Sequence, residues 1–345
     1  MQLHRLPTKI VFPVGLSILL LAVVTSVIVG PMAISFGQSL KALTPWQNEL
    51  PAHIQIVIHQ IRLPRTLLCI AIGAILAICG AVMQGLFRNP LADPGIIGVS
   101  GGASLGAALA IVLFGSLSAS FPILLTLGTV PIMAFIGGAA STWLVYQLGT
   151  SKHGTSVTVM LLAGVAIGAL SGAALGLMNY LADDQALRDL ALWSMGSLAG
   201  ATWPGIALAF STLGLLLWLF DRQANALNAF LLGEAEAKHM GVNVQGLKRS
   251  LILLCAAGVG VCVSLTGVIG FIGLIIPHLG RMLTGPNHKT LIPLSALLGA
   301  LILLVADMVA RVIAAPAELP VGIITALLGA PFFIFLLVKQ KGRLS

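Results

Sequence analysis

Long apolar runs alternate with short polar joins along almost the whole chain, and runs of about 17 to 25 such residues are the length that crosses a bilayer as helix. Ten runs are found: Ile10 to Phe36, Thr66 to Phe87, Ser100 to Phe114, Pro122 to Leu148, Val157 to Leu181, Trp203 to Phe220, Leu251 to Val268, Gly270 to Met282, Leu291 to Ile313 and Val321 to Val338. The eighth is short and broken by Pro277, His278 and Arg281. The first is too long for a signal-peptide core and has no clear small-residue cleavage site, so it is expected to stay as a helix. Small-residue patterns such as Gly101-Gly102-Ala103-Ser104-Leu105-Gly106 and Gly164 to Gly168 lie inside the runs, where they let helix backbones approach closely. Ordinary tight packing and freedom for helix movement both remain open for them.

Composition agrees with the pattern. Of 345 residues 58% are hydrophobic and 8% charged, and mean hydropathy is +1.06. That excludes a soluble enzyme and points to one all-α polytopic membrane domain over residues 1–345, with no polar interdomain linker. The net charge of +8 comes from basic residues scattered between apolar runs without interleaved aromatics, so no nucleic-acid partner is expected. Ten crossings put both termini on one side. Thirteen of the 18 Lys and Arg then fall on that side, and Lys41, Arg62, Arg65, Arg188 and Arg311 fall opposite. The positive-inside rule makes the termini cytoplasmic. Cys69, Cys79, Cys255 and Cys262 all sit within runs, a placement that suits packing rather than disulfides.

Four polar features interrupt the pattern. After the second run, Gln84, Asn89, Pro90, Asp93 and Pro94 cannot continue a lipid-facing helix, because freed backbone groups would go unpaired in hydrocarbon. A bent segment inside a transporter and a plain interfacial turn are both open readings. A second interruption, Gly270 to Arg281 with Pro277 and His278, echoes the first. The echo suggests an inverted internal repeat, with runs two to five matching seven to ten. His278 could be a ligand, a proton carrier or a helix-end histidine satisfied by backbone. The third feature is the polar stretch 221–249, in which Leu232 to Asn243 reads as a short helix. Its acids Glu234 and Glu236 come early, Lys238 and His239 late, and Gly241 closes it, as the helix dipole favours. On the residues alone, capping the bundle and docking to a partner stay open for this helix. Lastly, Arg62, Arg65 and Arg311 stand on the side poor in positive charge, with Asp307 at i,i+4 from Arg311. They could anchor headgroups, pair with local acids or recruit an acidic partner.

No Gly-x-x-x-x-Gly-Lys-Ser/Thr phosphate loop, His-Glu-x-x-His or paired-cysteine metal spacing occurs, so the chain is expected to carry neither its own ATPase site nor a metal site. Several polar motifs together resemble the FecCD family of ABC-transporter permeases: Arg62-Leu63-Pro64-Arg65, Gln84 through Pro94, Gly98 to Ala103, Trp193-Ser194-Met195-Gly196-Ser197-Leu198, Leu232-Gly233-Glu234, Gly270 through His278, and Ala317-Glu318-Leu319-Pro320-Val321-Gly322. The resemblance runs from about Ile61 to the C terminus and implies the ten-helix type II importer fold in the bacterial inner membrane. Such a permease pairs with itself or a similar permease, sits on two cytoplasmic ABC ATPase subunits that use Mg-ATP, and receives substrate from a periplasmic binding protein. It binds no cofactor of its own.

By the same resemblance Gly233, Glu234, Ala235, Glu236, Lys238, His239 and Gly241 form the segment that couples to the ATPase, and Arg62, Arg65 and Arg311 dock the binding protein. The proline-bearing interruptions become structural or gating elements. Tyr180 to Asp184, Leu187 to Leu190 and Trp193 to Leu198 look closest to haem permeases, with ferric siderophore and cobalamin importers as alternatives. The fifth run and Gly98 to Gly106 are candidates to line the path, and His53 and His59 could meet haem outside the membrane. An ion-coupled carrier needing no ATPase is the rival from another class.

Overall fold

The computed structural model describes residues 6–42, 44, 50–113, 128–152 and 154–341. Among these residues the chain is a helical bundle, with one two-residue hairpin (β1, Thr150–Ser151; β2, Gly154–Thr155) as its sheet. Seven helices are long and apolar enough to cross a membrane: α1 (Thr8–Ile28), α3 (Ala52–Leu86), α5 (Thr129–Gly149), α6 (Val157–Leu181), α8 (Trp203–Phe230), α10 (Val244–Thr266) and α12 (His288–Val312). Three shorter apolar helices are α4 (Val99–Leu113), α11 (Ile272–Thr284) and α13 (Val321–Lys341), the last apolar over Val321–Phe335. Short α2 (Phe36–Ala42), α7 (Asp184–Ser194) and α9 (Glu234–His239) complete the order.

Each apolar run after the first corresponds to one helix, and the α6 limits coincide with the run. The first six residues of the fourth run, Pro122 to Leu127, and Phe114 lie outside the described residues. Elsewhere the ends move for physical reasons. The first run divides at Gly30-Pro31, giving α1 and α2. Helix α8 runs past the first charged residues to Phe230, because Phe220, Ala224, Leu227 and Phe230 keep a buried stripe at helical spacing. Likewise α10 begins at Val244, with Val244, Leu247, Lys248 and Leu251 facing inward. The expected 221–249 coupling stretch is therefore mostly two helix ends, and the polar join between them is 231–243.

Helix α3 is the axis of the bundle, buried along most of its length. Glycines set its closest approaches: a Cβ on Gly73 would lie 2.3 Å from the Gly299 carbonyl oxygen, and one on Gly80 would lie 1.9 Å from that of Gly273. Helices α1, α5 and α6 instead leave most of their apolar surface exposed, the arrangement expected where lipid is the solvent.

Packing follows the repeat that the sequence suggests. Helix α3 packs on α12 as α10 packs on α5, and the α4–α5 and α4–α6 contacts are matched by α11–α12 and α11–α13. Helix α3 meets α11 as α10 meets α4. Exchanging α3–α6 with α10–α13 thus maps the contact pattern onto itself, the relation an internal repeat produces.

Candidate functional site

The two interruptions meet. Helix α3 ends with the Arg88 amide bonded to the Gly85 carbonyl and the Asn89 amide to the Gln84 carbonyl, and Arg88 takes φ +50°. This is a left-handed cap closed without glycine. Side chains then replace the lost helical bonds: Asn89 Oδ1 accepts from Leu91 N at 2.9 Å and Asp93 Oδ1 accepts from Gly95 N at 2.7 Å. Pro90 is exposed, whereas Pro94 is buried and starts a single 3-10 turn, Pro94–Ile97, that leads into α4. Burial pushes the Asp93 carboxyl above its ordinary pKa, and the Gly95 amide opposes that shift.

Opposite it lies α11, entered through Phe271 at φ +68°. Pro277 sits inside this helix without ending it. A helical proline deprives the carbonyl four residues earlier of its donor, and here that carbonyl belongs to Gly273. Gln84 supplies the replacement, its Nε2 donating to the Gly273 oxygen at 3.2 Å and to the Leu274 oxygen at 3.0 Å, while its Oε1 accepts from Arg281. Gln84, Pro277 and Arg281 therefore act as one joint, pinning the end of α3 to the first turn of α11 and to Arg281 in its last. His278 is half-buried with its ring edge-on to Phe332 at 6.1 Å. Among the described residues no group of His, Cys, Asp and Glu could hold a metal ion.

A second junction gathers motifs far apart in sequence. The Ser197 amide bonds to the Thr266 carbonyl at 2.7 Å. A Cβ on Gly267 would lie 2.1 Å from the Trp193 oxygen, and one on Gly322 would lie 2.1 Å from the Met195 oxygen. The Trp193–Leu198 motif is thus wedged between the start of α13 and the break after α10.

The short helix α9 forms as the sequence predicts. Gly233 precedes it at φ +137°, where a Cβ would meet Glu236 Oε2 at 2.1 Å. At its other end the Gly241 amide bonds to Lys238 O and the Val242 amide to Ala237 O, with Gly241 at φ +85°, which makes a Schellman cap. Glu234, Ala235, Glu236, Lys238 and His239 are exposed, and Ala237 is buried against the bundle. A charged face is left open at this end of the molecule. The anchor of α9 was not singled out from the sequence. It is Lys248 of α10, 3% exposed, whose Nζ lies 2.6 Å from Glu234 Oε1 and 3.0 Å from Thr155 O.

At the far end the three arginines correct an expectation. Arg62, Arg65 and Arg311 are 3%, 3% and 2% exposed, so they do not present their charge to a soluble partner. Asp307, 0% exposed, explains this. Arg65 Nε lies 2.9 Å from Asp307 Oδ1 and Arg311 Nε 2.7 Å from Oδ2. Arg65 also reaches the half-exposed Glu318 at 2.5 Å, and Arg311 reaches Ser26 O at 3.1 Å. Arg62 caps the C terminus of α1, donating to Val27 O at 3.0 Å, Ile28 O at 2.5 Å and Met32 O. The signal available in the sequence was Asp307, a carboxylate one helical turn from Arg311.

A bundle of apolar helices with paired interruptions, pinned at its end by a buried ion network, has the build of a multi-pass membrane protein. Residues 18–339 match the FecCD transport family, and the chain belongs to that family. It is 44% identical over 341 residues to the hemin transport system permease protein HmuU of Yersinia pestis, covering 99% of both chains. It is 39% identical to the cobalamin import system permease protein BtuC of Halobacterium salinarum, over 97% of this chain and 88% of that one. Among solved structures it resembles a metal-chelate type ABC transporter in an inward-facing conformation, with a TM-score of 0.82 and 33% identity, covering 96% of this chain and all of the other.

Proposed function

We propose that the chain is the membrane subunit of an ATP-driven importer whose substrate is haem. The similarity to the hemin permease over the full length of both chains is the observation that carries the substrate; the cobalamin relatives make cobalamin, or another iron chelate such as a ferric siderophore, the second reading. Partner ABC ATPases bind and hydrolyse Mg-ATP, and a periplasmic binding protein delivers the cargo. The chain spans the bacterial inner membrane ten times with cytoplasmic termini.

In this reading α9 docks on the ATPase through Gly233, Glu234, Ala235, Glu236, Lys238, His239 and Gly241. Closure of the ATPase pair pushes α9, and the bundles tilt between inward-open and outward-open states. The joint of Gln84 with Gly273, Pro277 and Arg281, beside the capped turn of Asn89, Pro90, Asp93 and Pro94, holds two bundle halves together while they tilt. Helix α6 supports pairing with a second permease, an identical copy in the simplest case. Gly168, Gly172 and Gly176 expose a face with open space beyond each Cα, where an apolar path between two subunits would run.

The test is uptake in vesicles carrying the chain, its ATPase and its binding protein. Haem should enter with ATP, and cobalamin and ferric siderophore should fail to compete. Competition by cobalamin would move the substrate to the second reading. Replacing Ala235 with Arg should uncouple hydrolysis from uptake while the protein stays folded, and undiminished uptake would count against docking through α9.

A further inference from the structure

Lys248 stands apart from the other cytoplasmic-end cations because it is buried and bridges three elements. Its Nζ pairs with Glu234 at the first position of α9, donates to the Thr155 carbonyl of strand β2, and lies 5.9 Å from the Phe230 ring at the end of α8. An ammonium has three donors and no acceptor, so two oxygens and a ring face engage its whole polar surface. The same hairpin is held a second time: Gln245 Oε1, one helical turn before Lys248, accepts from Thr155 N at 2.9 Å. Two residues beyond Thr155 begins α6. The contact therefore joins the short helix at the polar end to the entry of a span most of whose surface is open.

We infer that Lys248 is a positioning residue that transmits displacement of α9 to the β1–β2 hairpin and so to α6. The inference rests on the reading of α9 as the ATPase-docking helix. The physical reason is burial. Around a desolvated cation both oxygens are held more tightly than at a water-exposed pair, so a push on α9 through Glu234 moves Nζ, and Nζ carries the Thr155 carbonyl with it. Without the cation, α9 keeps its backbone connections to α8 and α10 and the packing of Ala237, but it loses its polar link to the hairpin, which can then stay behind when α9 moves.

The test uses the assembled transporter in vesicles, with haem as the probe. In K248M the apolar stem is kept and the charge lost; ATP hydrolysis should stay within about twofold of the parent while haem imported per ATP falls about tenfold or more. K248R, which keeps the charge, should retain most of the coupling. A second readout needs no substrate. Spin labels at Met240 and Ser151, both exposed, should report one narrow distance in the nucleotide-free and ATP-bound parent, and a distribution that broadens or shifts with nucleotide in K248M. Unchanged haem per ATP in K248M, or equal loss of hydrolysis and uptake, overturns the inference, as does an unaltered distance distribution. If the parent itself imports no haem, the substrate reading fails while the distance measurement still decides the role of Lys248. Should K248M not assemble, K248Q, which removes the charge and keeps a polar tip, gives the same two readouts.

Discussion

Each end of the bundle buries cationic side chains, and they do so in opposite ways. Helix α12 spans both ends. Its first residue, His288, bonds to Asn228 near the end of α8, and Arg311 lies 23 residues on, about 35 Å away at 1.5 Å per residue. At the Arg311 end, three guanidiniums share Asp307, Glu318 and the carbonyls at the end of α1. Planar forks held by several acceptors fix α1, α3 and α12 in one arrangement. At the α9 end, a single ammonium holds one carboxylate and one carbonyl. Its donors rotate and the carboxylate is half-exposed, so the linkage joins elements without fixing their angle. One end is a clamp and the other a pivot, as a permease needs if motion enters from one side.

Breaking the clamp should cost most. In D307N two buried guanidiniums lose their shared charge, and a loss of about 3–5 kcal/mol is expected, as for other buried pairs missing one partner. Thermal unfolding in detergent would show it, and a shift as small as that of a surface pair would refute the clamp. Q84L tests the joint at the end of α3 that lies beside His288. It leaves the Gly273 carbonyl without the donor that Pro277 denies it, and should cost about 1–3 kcal/mol by the same assay. K248M should cost less than D307N, about 1–2 kcal/mol, because Glu234 can turn to water; equal losses would erase the distinction between the two ends. The smallest effect is in D93N. Stability contributed by protonated Asp93 is fully present below the ordinary carboxylate pKa and is lost as pH rises through its raised value. Asn keeps the acceptor for Gly95, so the variant should match the parent at low pH and show a flatter fall of melting temperature above that point. An unchanged slope would remove Asp93 from the pH response.

What the sequence made legible follows from where the physics is local. Lipid imposes long apolar runs, so the helices and the limits of α6 could be read directly, and the dipole order and closing glycine of α9 needed only a dozen adjacent residues. Long-range pairing left weaker marks. For Arg62 and Arg65 headgroups, local acids and a soluble partner all stayed open, because their acceptors, the α1 carbonyls and Asp307, lie 34 to 242 residues away in sequence. Lys248 was absorbed into the positive-inside count for the same reason: its acceptor Thr155 belongs to a hairpin 93 residues earlier. The Gln84–Gly273 bond was half visible. Pro277 implied a carbonyl in need of a donor, but nothing local named Gln84.

The central claim, that this permease moves cargo only when a partner ATPase drives it, is tested most directly by haem accumulation in proteoliposomes containing the chain, with the ATPase and binding protein present or omitted. The account predicts uptake that requires both partners and ATP hydrolysis and is indifferent to ion gradients. Uptake by the chain alone on a proton or sodium gradient would contradict it.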